Sequence, residues 1–244
     1  MEKKENINSE NISRNLNVVK PIYNITPFTL LDYPDKTACI LWFAGCNMRC
    51  VYCYNPEIVF GKGKISIPEV LTFLNSRKVL LDGVVLSGGE CTSHKHIKPL
   101  LQEIKKLGFL VKIDTNGSNP QTLLDLINDN LVDYVALDFK ATPEKFKSIT
   151  NTYLFNEFKD TLSFLIKKSI PHEVRTTIHS HLFDSSDLQQ MVSFLEKVKY
   201  KGIYYIQKFR NNSETIGKMS DSKNYSFNLS HLTSQFEIIV RNEN

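Results

Sequence analysis

The chain has 244 residues, 41% hydrophobic and 23% charged, with 10 Gly, 9 Pro and 5 Cys. That length suits one large domain or two small ones, and the composition excludes a collagenous, mucin-like or wholly disordered chain. The balance of 30 basic against 26 acidic residues shows no concentrated basic stripe, so no nucleic-acid partner is expected.

The longest purely apolar run, residues 38–44, is far short of the roughly 20 residues a membrane helix needs. No membrane partner is expected, and without an export signal at its start the chain reads as cytoplasmic.

Residues 1–20 are polar and Asn-rich and read as a flexible N-terminal arm. From position 37 onward, short apolar runs alternate with amphipathic stretches. Strands are expected over 37–43, 83–86, 109–113, 134–139, 173–178 and 203–207, with helices over 68–75, 95–107, 120–130, 154–168 and 186–199. Pro68 and Pro120 stand where a first-turn proline loses no needed hydrogen bond. Such alternation predicts parallel strands joined by right-handed crossovers.

Six βα units fall two short of a closed eightfold barrel. The expected fold is therefore α/β, a partial (open) TIM-like barrel of about six βα units on a parallel sheet. A flavodoxin-like doubly wound sheet is the competitor. The barrel would span 21–210, and 211–244 would form a C-terminal tail packed on or extending it, with 236–240 adding a last strand or covering an edge.

In either architecture, ligands sit at the carboxyl ends of the strands. A cysteine cluster follows the first expected strand, Ser87-Gly88-Gly89-Glu90 the second, and Asp114-Thr115-Asn116-Gly117 the third. Asp138 and Lys140 end the fourth, while Arg175 and His179 lie along and just after the fifth. The unusual polar chemistry thus falls on one rim.

Cys46-x3-Cys50-x2-Cys53 places three thiols in one short loop. Three soft thiolates suit zinc or an iron–sulfur cluster. Structural zinc wants four ligands, and neither a second Cys pair nor a nearby His exists to supply them. A three-thiolate site leaves one metal position open for chemistry. The odd cysteine count argues against a disulfide framework. Cys39, inside an apolar strand, reads as a buried small apolar residue.

With Tyr52 just before the last cysteine, this loop resembles the signature of the radical S-adenosylmethionine (SAM) enzymes. Asp32-Tyr33-Pro34, Asn47-Met48-Arg49, Asn55-Pro56-Glu57, Asp82-Gly83-Val84-Val85, Lys112-Ile113-Asp114-Thr115-Asn116-Gly117-Ser118-Asn119-Pro120, Val132-Asp133-Tyr134-Val135-Ala136-Leu137-Asp138, Arg175-Thr176-Thr177 and Gln207-Lys208-Phe209-Arg210 follow in order. Together they are similar to the anaerobic ribonucleoside-triphosphate reductase activating protein subfamily, related to pyruvate formate-lyase activating enzyme, over roughly residues 25–210.

The resemblance implies that Cys46, Cys50 and Cys53 hold one [4Fe-4S] cluster whose open iron SAM chelates. It places Tyr52, Gly88, Gly89, Glu90, Asp114, Thr115, Asp138, Lys140, Arg175 and His179 around SAM, with a monovalent cation near the acidic pair in some relatives. It implies an oxidoreductase: reductive SAM cleavage gives a 5′-deoxyadenosyl radical that takes hydrogen from a glycine of a glycyl-radical enzyme, with flavodoxin or ferredoxin as electron donor. Arg49 would tune the cluster's potential.

Where the family usually has proline after Gly-Gly-Glu, this chain has Cys91, a local substitution or a thiol beside SAM. Two other functions stand beside the activase: a radical SAM enzyme modifying a small molecule of the 7-deazaguanine type, and a non-enzymatic metal-binding adaptor. His94 and His96 are expected to be exposed and without a role, and Tyr204, Tyr205 and Phe209 to serve packing.

Overall fold

The computed structural model describes residues 19–223, 232 and 234–241. The expected arm over 1–20 therefore lies, except for Val19 and Lys20, outside the described residues. The elements are β1 (Ile22–Thr29), β2 (Ala38–Phe43), α1 (Pro56–Val59), α2 (Ile67–Asn75), β3 (Gly83–Gly88), a 3-10 turn (Cys91–Ser93), α3 (Ile97–Lys106), β4 (Leu110–Thr115) and α4 (Pro120–Asn128). There follow β5 (Tyr134–Asp138), α5 (Pro143–Thr150), α6 (Phe155–Lys168), β6 (His172–Ile178), α7 (Ser185–Lys197), β7 (Tyr204–Lys208) and β8 (Ile238–Arg241).

Strand order follows chain order from β1 to β8. β1 runs antiparallel to β2, whereas β2–β3, β3–β4, β5–β6, β6–β7 and β7–β8 are parallel. The fold is thus α/β with a mostly parallel, open sheet, as expected; it carries β1 beyond the anticipated strands, and β8 is the last strand offered over 236–240. None of the described helices is long and apolar enough to cross a membrane. The described residues divide into two compact units, the first made of 19–46, 57–113 and 126–133 and the second of 47–56, 114–125 and the described residues from 134 onward.

In the first unit successive strand residues face opposite sides of the sheet, and most are buried on both. Cys39, Leu41 and Phe43 pair in register with Val84, Leu86 and Gly88, and Val111 and Ile113 continue that face. These apolar residues are fully buried. The opposite face mixes Ile40 and Val85 with Trp42, Ser87 and Lys112. Helix α2 starts at a capping box, in which Ser66 Oγ accepts from the Glu69 amide and Glu69 accepts from the Ser66 amide at 2.7 Å. Strand β1 carries Pro27 within a register shift between Thr26 and Thr29, where the ladder needs no amide donor.

The second unit repeats the alternation more sharply. Val135, Leu137 and Phe139 on one side of the β5 segment, with Val174, Thr176 and Ile178 of β6 and Tyr204 and Ile206 of β7, are buried. Phe139 stacks on Phe158 of α6 at 4.7 Å and meets Phe194 of α7 at 5.3 Å, so this face packs on helices. Phe155 joins Phe194 at 5.5 Å and Phe146 of α5 at 5.6 Å. The polar atoms here are paired, Thr176 Oγ1 donating to the Phe139 carbonyl and Tyr204 donating to Thr176 at 2.7 Å. The other face carries Asp138, Glu173, Arg175, Tyr205, Gln207 and Arg241 in register. A parallel strand covered by apolar packing on both sides would read as a continuous hydrophobic run; here one face of the unit is reserved for charge.

Phe139 joins α6 and α7 to the sheet, and its truncation leaves a cavity that aromatic neighbours cannot fill. Phe139→Ala is expected to cost about 3–5 kcal/mol of stability, read as a lower midpoint in denaturant unfolding of the metal-free protein. A loss under about 1 kcal/mol would show that the cluster repacks.

Candidate functional site

The cysteine loop leaves β2 at Phe43, and its first residues are held by backbone. In the first unit, the Ala44 amide donates to the Pro21 carbonyl at 2.9 Å and Gly45 to Ile58 at 2.8 Å. The end of β3 closes against the same stretch, Gly89 donating to Phe43 at 2.8 Å and Glu90 to Gly45 at 2.9 Å. A Cβ at Gly88 would stand 2.7 Å from the Phe43 nitrogen, and one at Gly89 1.8 Å from the Gly45 oxygen. The two glycines are thus demanded by the approach of one strand end to the loop, a reason that lies within the protein itself.

Glu90 is fully buried. Its carboxylate caps the 3-10 turn, accepting from the Thr92 amide at 3.1 Å and the Thr92 hydroxyl at 2.5 Å. Cys91 is buried, with its sulfur 4.0 Å from the Leu86 carbonyl. Cys39 is buried as expected, which pushes its thiol up to about 12.

His94 departs from its expected exposure. It is half-buried, edge-on to Phe43 at 5.1 Å, and its Nε2–H donates to the Ala44 carbonyl at 2.8 Å. Burial lowers its pKa, which suits a neutral donor. The Gly-Gly-Glu motif holds no signal for this contact, since its partner lies fifty residues upstream.

In the second unit, the rest of the loop rests on the end of α5. The Arg49 amide donates to the Thr150 carbonyl and Val51 to Ile149, each at 2.9 Å, which satisfies carbonyls that a helix terminus leaves open. Asn47 donates to Ser118 Oγ at 2.7 Å and accepts from Asn116 at 3.0 Å. Thr115 Oγ1 accepts the Gly117 amide at 3.0 Å. The Asp-Thr-Asn-Gly segment after β4 thereby holds Asn47.

The charged face ends in a compact cluster. Arg175 meets Asp138 at 2.9 Å and Asp114 at 3.4 Å, and Lys140 meets Asp138 at 3.0 Å. Burial pushes Asp138 up, but Arg175 and Lys140 outweigh it and hold its carboxyl below the usual range. Burial likewise opposes charge on Lys140 and Arg175, but Asp138 on both, joined by Asp114 on the arginine, raises their pKa values. Asp138, Lys140 and Arg175 are thereby held charged at neutral pH.

Tyr52 is buried at 4% exposure, and its hydroxyl finds no hydrogen-bond partner among the described residues. Burial raises its pKa well above the ordinary value, opposed by the nearby Lys140 cation. Lys140 Nζ stands 6.0 Å from its ring centre. His179 does not join the cluster: its Nε2 contacts the Ser220 carbonyl at 2.9 Å and its Nδ1 accepts the His181 amide at 3.1 Å.

None of the five cysteines forms a disulfide. Among the described residues, no three His, Cys, Asp or Glu side chains are grouped as around a single metal ion. A four-iron cluster asks for something else, because each thiolate binds a different iron. The donor set fits that group: three soft thiols on one loop, with an unpaired buried hydroxyl between two of them in sequence.

Comparison with known proteins agrees. A Methanocaldococcus jannaschii protein provisionally named as a glycyl-radical enzyme activating enzyme is 30% identical over 195 residues, covering 77% of this chain and 79% of its own. The pyruvate formate-lyase-activating enzyme of Clostridium pasteurianum is 26% identical over 191 residues, covering 75% and 79%. Streptococcus suis SuiB, solved bound to S-adenosylmethionine, shares the fold at a TM-score of 0.62 and 11% identity, over 81% of this chain and 48% of SuiB. The chain thus spans about half the length of that structure. A family model described as the radical SAM superfamily matches residues 40–198, and with the three-thiol loop at the start of that span, the chain belongs to the radical SAM superfamily.

Proposed function

We propose that this radical SAM enzyme is an activase that installs a glycyl radical on a partner enzyme, and that the partner is an anaerobic ribonucleoside-triphosphate reductase. The observation that carries the activase reading is the match to two activating enzymes along three quarters of this chain and most of theirs. The choice of reductase rests on the ordered motifs between Asp32 and Arg210.

Cys46, Cys50 and Cys53 would hold a [4Fe-4S] cluster. Such a cluster with SAM would supply one-electron reduction of the sulfonium and, through it, hydrogen-atom abstraction from the partner's glycine. The electron comes from outside, from a flavodoxin or ferredoxin.

The chain's own residues bind and orient. The Lys140 and Arg175 cations, kept charged by Asp138 and Asp114, suit the carboxylate and ribose oxygens of SAM. Gly88, Gly89 and Glu90 shape the turn beside the loop, and Thr115 fixes the segment that holds Asn47. Arg175 already bridges Asp114 and Asp138, so the acidic pair offers no uncompensated charge to a monovalent cation, and none is assigned. Tyr52 supplies the remaining donor, because a buried hydroxyl without a partner is tolerable where a ligand completes it.

The test is electron paramagnetic resonance on anaerobically reconstituted, dithionite-reduced protein. A four-iron signal that changes on adding SAM, followed by a glycyl signal when the reductase is added, is the expected result. Zinc in place of iron would overturn the proposal. Cys50→Ala should lose the cluster signal while circular dichroism and the melting curve of the metal-free protein stay unchanged; normal iron content would refute the assignment.

Tyr52→Phe separates the two states of the protein. Removing an unsatisfied buried hydroxyl should leave metal-free stability unchanged or raise it by about 1–3 kcal/mol. SAM affinity should fall about tenfold, some 1.4 kcal/mol, by calorimetry on the reconstituted protein. A destabilised metal-free variant would mean the hydroxyl serves the fold instead.

A further inference from the structure

The radical SAM family model ends at residue 198, yet part of the cysteine loop is held by residues beyond it. The Ile216 amide donates to the Cys53 carbonyl at 3.0 Å, and Gly217 donates to Val51 at 2.8 Å. These bonds take hold of the segment that carries Tyr52 and Cys53. A Cβ at Gly217 would lie 2.7 Å from Val51 Cβ, 2.8 Å from its oxygen and 3.0 Å from its Cα. No other residue fits there unless the loop moves. Thr215, which opens the turn, is buried; its carbonyl accepts Lys218 at 3.0 Å and its hydroxyl accepts Met219 at 2.8 Å.

The same stretch is anchored at its far end to the loop after β6. His179 Nε2–H donates to the Ser220 carbonyl at 2.9 Å, with the tautomer fixed because Nδ1 accepts from His181. The Ser180 amide donates to Ser222 Oγ at 3.0 Å, and Lys223 donates back to Ser180 Oγ at 2.9 Å. Asn211 closes the base, accepting from the Ser222 amide at 2.8 Å and donating to its carbonyl at 3.0 Å. Phe209 packs between His179, at 4.6 Å, and Tyr54 at 6.2 Å.

We infer that residues 215–222 are a strap that fixes the cysteine loop for cluster retention, with Gly217 and His179 as its positioning residues. The inference rests on the radical SAM reading. The strap holds backbone, so its effect falls on the placing of Cys53 relative to Cys50, whose carbonyl the Cys53 amide already meets at 3.0 Å. His179 acts through Ser220 and through Phe209, which packs on Tyr54, and lies far from the thiols in sequence.

The test compares the full-length wild type with Gly217→Ala, His179→Ala and His179→Gln. A glutamine amide can still donate to the Ser220 carbonyl. After anaerobic reconstitution, iron loss to an excess of chelator should be about tenfold faster in Gly217→Ala and His179→Ala, and near wild type in His179→Gln. Far-ultraviolet circular dichroism should be the same in all four. Loss rates within twofold of wild type in both the glycine and the alanine variants would overturn the strap, as would glutamine failing to rescue. A wild type that takes up no cluster would instead overturn the radical SAM reading. The strap is then judged in the metal-free protein, where exchange of the Ile216 and Gly217 amides, which donate to the loop, should be about tenfold faster in His179→Ala; unchanged exchange would reject it. His179→Ala and His179→Gln keep the test decisive should Gly217→Ala not fold.

Discussion

A loop whose side chains are committed to a ligand cannot use them to hold itself, so its backbone must be gripped from outside. In the first unit, Pro21, Ile58 and the Gly88–Glu90 turn take the amides and carbonyls of residues 43–45. In the second, Ile149 and Thr150 receive the amides of Val51 and Arg49, and Ile216 and Gly217 supply donors to the carbonyls of Cys53 and Val51. The constraint explains several residues that otherwise have no shared purpose. Glycines stand at 88, 89 and 217 because main chain approaches main chain there, and α5 ends at Thr150 where its open carbonyls meet the loop.

The second constraint is electrostatic. A buried ion pair stripped of one partner costs about 3–5 kcal/mol, so the charged face of β5–β7 is workable only because each charge is answered. Arg175 lies between Asp114 and Asp138, and Lys140 supplies a second cation to Asp138. Glu173, 3.9 Å from both Arg175 and Arg241, also accepts from Tyr134. The alternation of the strands places this network on one face and the phenylalanine cluster on the other, which lets a single short strand serve stability and chemistry at once.

Much of this was legible in the sequence, for physical reasons. The parallel strands from Ala38 onward and their crossover helices announce themselves by local apolar periodicity, and the three thiols by their spacing. β1 was hidden because Pro27 and two register shifts break its alternation, and α5 because eight residues around one proline make too short a pattern. β8, although only four residues long, lies where a last strand was offered over 236–240. Among site residues, Asp114, Asp138, Lys140 and Arg175 are brought together as their strand ends implied. His94 was expected to be exposed because its partner is a backbone carbonyl distant in sequence, that of Ala44, which no side-chain motif encodes; the bond from His179 to the Ser220 carbonyl is hidden in the same way.

The same asymmetry bears on how the fold can vary. A ligand motif is written in consecutive residues, so a family model captures it in full. The main-chain contacts that give the ligands their geometry are written elsewhere, and the donors at Ile216 and Gly217 lie beyond the matched span. Because those donors are backbone groups, almost any side chain satisfies them except where space fails, as at Gly217. Changes in the strap can therefore alter how the loop is held while the three cysteines stay as they are.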